Sequence, residues 1–208
     1  SEVVFNASFI DEDTKTKMGI NDVNNYPVVS ILDPEIVCSA PRSVLASSGC
    51  DALVHALESF VSKSSNQVTR VFSKKAIHFI LQNMPILLDG KGDLTNWSNM
   101  QWAAVFAMWG LSNTSSGPTG ALSYYLGTHY KVPHGIAGGV FIGKVSSLNH
   151  ERGFHDYADL YGWDPSHNQD LSRERKSDLV IIAIESLLEK AEIPKSLGDK
   201  SLAFNDFS

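Results

Sequence analysis

Apolar and polar positions divide the chain into two regimes. Residues 3–10 are mostly apolar, residues 11–17 are a polar turn, and Met18 to Ile20 resume the apolar pattern, which predicts a β-hairpin. A further apolar run, Val28-Val29-Ser30-Ile31-Leu32, reads as another strand that stops at Asp33-Pro34 because proline cannot continue the ladder. From about residue 40 the apolar residues recur at intervals of three and four, predicting helices over 44–61, 68–88, 97–111, 120–130, 134–148 and 178–190, six or seven in all. Ser43 and Thr69 stand where they can cap the first two of these, and Pro85 falls near the end of the second. Polar loops are expected at 89–93, 112–118 and 163–168, and the charged run Ser172 to Lys176 reads as a solvated helix start. No internal repeat interrupts this order. The expected fold is therefore mainly α, a bundle-like helical domain preceded by a short β-hairpin and strand, without the regular βαβ alternation of a self-contained parallel sheet.

Composition narrows the class. The 208 residues are 43% hydrophobic and 19% charged, the balance of a globular chain long enough to bury a core. With 17 Lys plus Arg against 23 Asp plus Glu, the net charge is −6, which disfavours nucleic acid and anionic membrane surfaces as partners. The two cysteines, Cys38 and Cys50, have neither disulfide-framework nor zinc-finger spacing and are read as buried thiols of a reducing compartment. No uninterrupted apolar run of about 20 residues and no leader pattern is seen, so the expected location is cytoplasmic. Residue 1 is Ser, and the chain enters abruptly on Val3-Val4-Phe5, as a strand would if it had lost its predecessors.

Chemistry concentrates in Gly49-Cys50-Asp51-Ala52-Leu53-Val54-His55-Ala56-Leu57-Glu58. Asp51 and His55 are four apart, so on a helix they share one face and can close on one metal ion; carboxylate oxygen with imidazole nitrogen suits zinc or divalent iron. The same spacing also serves a hydrogen-bonded Asp–His pair or an exposed ion pair. His134, in Val132-Pro133-His134-Gly135, stands at the mouth of a small-residue helix, where a histidine is either a packed residue or a third ligand that leaves coordination positions open. His78 reads as a satisfied histidine of an apolar helix, His150 and His155 either line a substrate cleft or, as favoured here, face solvent, and Trp97, Trp102 and Trp109 read as core. Gly135 to Gly139 lack the preceding strand and acidic partner of a dinucleotide fingerprint.

GCDALVHALESF, preceded by Ile31-Leu32-Asp33-Pro34-Glu35 and Ala40-Pro41-Arg42 and followed by Val132-Pro133-His134-Gly135, resembles the iron-containing (group III) alcohol dehydrogenases, whose superfamily includes glycerol dehydrogenase and dehydroquinate synthase. The resemblance runs from Ser1 to about Gly162. It implies residues 1–36 as a β-rich remnant of a nucleotide-binding α/β domain and 37–208 as a helical metal-binding domain, inactive alone. It implies Fe2+ or Zn2+ on Asp51, His55 and His134, NAD or NADP as the hydride carrier with Ser1 and Glu2 at the end of its binding loop, a small alcohol or aldehyde as substrate, and a possible homodimer.

The family segment HxxxHPLG corresponds here to Gly120 through Gly127, so Gly120 replaces a fourth metal ligand and Tyr124 a histidine near the nicotinamide. Three readings follow for the gap: solvent completes a three-ligand site, His129 swings in, or the metal has been lost and the fold kept for an assembly role. Tyr124 is the candidate catalytic hydroxyl relay or else an aromatic packed on Tyr125 and Leu126, a phenol of pKa about 10 being a weak base at neutral pH. A lyase of the dehydroquinate synthase kind is a third functional alternative.

Overall fold

A computed structural model describes residues 3–14 and 16–196. Strands β1 (Asn6–Asp11) and β2 (Thr16–Asn21) form the antiparallel hairpin, with Phe9 opposite Met18 and Ala7 opposite Ile20. Asp11 tightens the turn by accepting hydrogen bonds from the backbone N–H groups of Asp13 and Thr14. The strand expected at 28–32 does not form. Val28 is fully exposed and Ile31 nearly so, and no described strand lies beside them to supply a ladder, without which β-propensity has nothing to stabilise.

Helix α1 (Pro34–Val37) starts with Asp33 capping the amide of Glu35, and the Asp33 carbonyl accepts from Gln101. The body is made by α2 (Arg42–Val61), α3 (Gln67–Leu88), α4 (Leu94–Ser112), α5 (Pro118–Tyr130), α6 (His134–Glu151) and α7 (Arg173–Lys190). Helix α2 is the axis: it packs against α3, α4 and α6 and buries Leu53, Val54, Ala56, Leu57 and Phe60 almost completely. Among the described residues it alone is long and apolar enough to cross a membrane, despite its charged residues, and here it is mostly buried as the core helix of the bundle. Helices α3 and α4 form the most extensive pair, α5 lies on α6, and α7 closes the far side against α6 and a 3-10 turn (Asp156–Leu160).

Several local expectations are corrected. Pro41, not Ser43, precedes α2, fixing the entry by its ring with no side-chain cap. Thr69 is the third residue of α3, where it completes a reciprocal capping box with Asn66. Cys38 is exposed, since the chain around α1 lies on the surface; only Cys50 is buried. Trp102 is 41% exposed and its ring stacks on Phe106, forming with Phe72 and Trp109 a surface aromatic cluster on α3 and α4 in place of a core stripe. His78 is satisfied by the Leu160 carbonyl at 2.7 Å, as expected.

Two contacts position the helices around α2. At Gly135, a β-carbon would lie 1.9 Å from the Ser47 carbonyl oxygen and 3.1 Å from the Asp51 β-carbon, so only glycine permits α6 to begin this close to α2. At the other contact Glu58, 3% exposed, reaches from α2 to the start of α5. Its carboxylate accepts from the amides of Gly117 at 2.9 Å, Thr119 at 2.8 Å and Gly120 at 3.1 Å. Pro118 has no N–H, so one side chain satisfies the unpaired donors of that helix start, and its charge faces the positive end of the helix dipole.

Gly135→Ala is expected to lower unfolding free energy in urea by about 1–3 kcal/mol. Gly143→Ala, on the same helix with only ordinary contacts around the new methyl, should be neutral or stabilising by up to about 1 kcal/mol. Equal stability of the two variants would contradict the close-approach reading. Glu58→Ala leaves three amides unpaired and should cost about 3 kcal/mol or more, Glu58→Gln less. Native-state hydrogen exchange should then accelerate at Thr119 and Gly120, and unchanged exchange would remove the cap from this account.

Candidate metal centre

The middle of α2 and the first residue of α6 bring three side chains to one point. Asp51 Oδ1 lies 3.7 Å from His55 Nε2 and 3.8 Å from His134 Nε2, and one ligand atom from each residue lies within 4.8 Å of the others. These separations exceed hydrogen-bond distance, so the Asp–His hydrogen-bonded pair is not what the side chains form. They are close to the spacing of donors that share an ion with bonds of about 2.0–2.2 Å. The two imidazole planes are inclined at 49° with centroids 6.5 Å apart, so the ring nitrogens converge on the carboxylate without the rings stacking. All three residues are half-buried: packed enough to hold orientation, open enough for a small molecule to reach them.

One carboxylate oxygen and two imidazole nitrogens make a borderline donor set suited to Zn2+ or Fe2+, with positions left free for a reacting ligand. The residues therefore fit a divalent metal. Among the described residues, no other group of three His, Cys, Asp or Glu side chains comes together in this way. Cys50, adjacent in sequence, points into the core; burial, with a contribution from the Asp51 charge, pushes its thiol up to about 12, which removes it from thiolate chemistry.

Gly120 is buried on the first turn of α5. A β-carbon there would lie 3.2 Å from Glu58 Oε2 and 3.4 Å from the Ser116 β-carbon, so the backbone at this position is drawn tightly onto the capping carboxylate. His129 is not brought to the site: it is exposed, stacked on Tyr125 at 4.2 Å, with Nδ1 beside the Tyr125 carbonyl and the Thr128 hydroxyl. Tyr124 is placed differently from the packing expected on Tyr125 and Leu126. Its ring lies parallel to the His134 imidazole, 6° between planes and 5.2 Å between centroids.

His150 and His155, expected to face solvent, are half-buried and meet each other at 3.2 Å between Nδ1 atoms, His150 also contacting Ser177. Ser1 and Glu2 lie outside the described residues. Sequence reasoning passed over Glu58 as a working residue. Its signal was present: three residues after His55 and seven after Asp51, it is a carboxylate on the same face of an otherwise apolar helix.

Comparison with known proteins identifies the family. The family described as Fe-containing alcohol dehydrogenase, C-terminal, matches residues 45–208. The chain is 31% identical over 207 residues to 1,3-propanediol dehydrogenase of Citrobacter freundii, covering all of this chain and 54% of that protein. It is 29% identical over 210 residues to the NAD-dependent methanol dehydrogenase of Bacillus methanolicus, covering 99% of this chain and 54% of that one. The crystal structure of a 1,3-propanediol oxidoreductase superposes with a TM-score of 0.87 at 30% identity, over 97% of this chain and 52% of that one. The chain thus spans about half the length of the curated relatives it matches. With the hairpin, the helical body and the Asp51–His55–His134 group in the order the motifs require, the chain belongs to the iron-containing alcohol dehydrogenase family, of which it carries the C-terminal helical region.

Proposed function

We propose that this chain supplies the metal-binding half of an NAD(P)-linked alcohol dehydrogenase or aldehyde reductase acting on small alcohols and aldehydes in the cytoplasm. On this reading residues 1–36 belong with the nucleotide-binding part and residues 37–208 form the helical domain. The observation that carries it is the convergence of Asp51, His55 and His134 at the junction of α2 and α6. The names of the relatives support the substrate class, and one of them names NAD.

Asp51 contributes a negative charge that offsets that of a divalent ion, and His55 and His134 contribute neutral nitrogens. Their positions are set before any ligand arrives, by the packing of α2 and by Gly135. A bound Fe2+ or Zn2+ would supply Lewis acidity toward the alcohol or carbonyl oxygen while hydride passes to or from the nicotinamide ring. With Gly120 in place of a fourth ligand, the protein contributes three donors, and its hold on the ion is weaker than a four-ligand set would give. Tyr124, whose ring stacks on His134, carries the hydroxyl nearest in kind to the proton relay that the resemblance implies. The specific observation favouring the other reading, a metal-free relative with an assembly role, is Gly120 itself.

Elemental analysis of protein purified without chelator should find about one Fe or Zn per chain. His55→Ala and Asp51→Asn should each weaken binding by about tenfold or more, with the helical circular dichroism unchanged. A nicotinamide-linked assay on the longest natural polypeptide carrying this sequence, with a panel of small alcohols and aldehydes, should then show a rate that follows metal content. Neither Zn nor Fe in the wild type, and no rate on adding them, would establish the non-catalytic reading instead.

A further inference from the structure

We propose that Tyr124 is a positioning residue whose aromatic ring, not its hydroxyl, fixes the His134 imidazole with Nε2 turned toward Asp51. The proposal deepens the metal-centre reading and rests on it for its functional meaning, though the placement of the ring is a separate matter of packing.

The need for such a brace follows from where His134 sits. It is the first residue of α6, directly after Pro133. Inside a helix, a side chain leans back over the preceding turn, which restricts its rotamers; at the first position no preceding turn exists. His55, in the middle of α2, has a full turn beneath it. On the C-terminal side of His134 stands Gly135, which has no side chain to crowd it. The orientation of His134 is therefore set from outside its own helix, and the Tyr124 ring on α5 lies flat along its face at 5.2 Å and 6°. This is an offset parallel contact within the range at which aromatic rings attract one another.

The helix that carries the ring is itself anchored. Helix α5 starts on the Glu58 carboxylate through three amide hydrogen bonds, and Glu58 lies on the helix that carries Asp51 and His55. The chain of contacts runs from α2 through Glu58 to α5, through Tyr124 to His134, and back to Asp51 on α2. A four-ligand centre would fix its histidines partly through the ion; with Gly120 at the fourth position, packing carries more of that constraint. A flat ring meets the requirement as phenylalanine would, since the contact is made by the face.

The test separates ring from hydroxyl and stack from metal. In metal-free protein, NMR should show cross-relaxation between the ring protons of Tyr124 and His134, and a ring-current shift of the His134 protons. Both should persist in Tyr124→Phe and vanish in Tyr124→Ala. In titrations with Co2+ followed by visible absorption, and with Zn2+ in competition, Tyr124→Phe should bind within about twofold of wild type. Tyr124→Ala should bind about three- to tenfold more weakly, the range that one aromatic pair supplies.

Tyr125→Ala removes the neighbouring ring, stacked on the non-ligand His129, and should leave both readouts unchanged. Thermal unfolding of each variant checks that the fold is retained. Weakening in Tyr124→Phe as large as in Tyr124→Ala would overturn the proposal in favour of the hydroxyl. Unchanged His134 signals in Tyr124→Ala would overturn it outright. Failure of the wild type to take up Co2+ or Zn2+ would count against the metal centre, while the NMR comparison would still decide the role of the ring.

Discussion

The site depends on the near-contact of two backbones at Gly135. Helix α6 enters so close to α2 that the Ser47 carbonyl occupies the place of a β-carbon, and this approach puts His134 within 3.8 Å of Asp51. Their separation is beyond hydrogen-bond reach, at the outer edge of ion-pair distance. They are neighbours because the two helices have no side chain between them at that point, and a single methyl would separate the elements that supply the ligands. Further along α6, Gly138 continues the narrow seam against Val54. The small-residue run after His134, which as a sequence looks like a weak glycine motif, is thus a packing device.

Glu58 sets the second boundary condition. A carboxylate 3% exposed would be costly to bury alone, and it is tolerated because three amides donate to it at the positive end of a helix. The same arrangement explains why α5 can start with Gly-Pro and no side-chain cap of its own. It also bears on Gly120: the position resembling a fourth ligand is the one whose amide is bonded to Glu58 and whose β-carbon direction meets that carboxylate. The missing side chain at this position and the tightness of the cap occupy the same few ångströms.

Much of this was legible in the sequence, for reasons that differ between elements. The long helices announced themselves by spacing, because each buries an apolar face against its neighbours in the bundle. Asp51, His55 and His134 were legible as candidates because two keep the i, i+4 register of one helix and the third follows a proline at the start of another, and the structure brings the three together. The strand at 28–32 was misread because Val, Ile and Leu in a row report only a preference for a pleated surface, whereas a strand exists only where another pairs with it. Cys38 and Trp102 were misjudged because residue type alone cannot say which helix face is covered, whereas Trp97 packs against the core as expected. Glu58 and Gly135 escaped because their roles are defined by a partner 59 to 62 residues away for the first and by the Ser47 carbonyl for the second.

The hairpin and the helical body are stabilised on different terms, and this bears on where the chemistry resides. Phe9, Ile10, Met18 and Ile20 remain about half exposed, while the core around Leu53, Ile77 and Ile184 is closed. Every residue that shapes the metal centre lies on α2, α5 or α6, and each is tied to the others within that body. The three side chains are arranged by helix packing, and the hairpin reaches this body through β2 on α5. Metal affinity should therefore report on the helical body. Gly120 and Tyr124 stand at the two positions where this chain departs from the segment HxxxHPLG that it resembles, and packing through Glu58 and Gly135 still holds Asp51, His55 and His134 together.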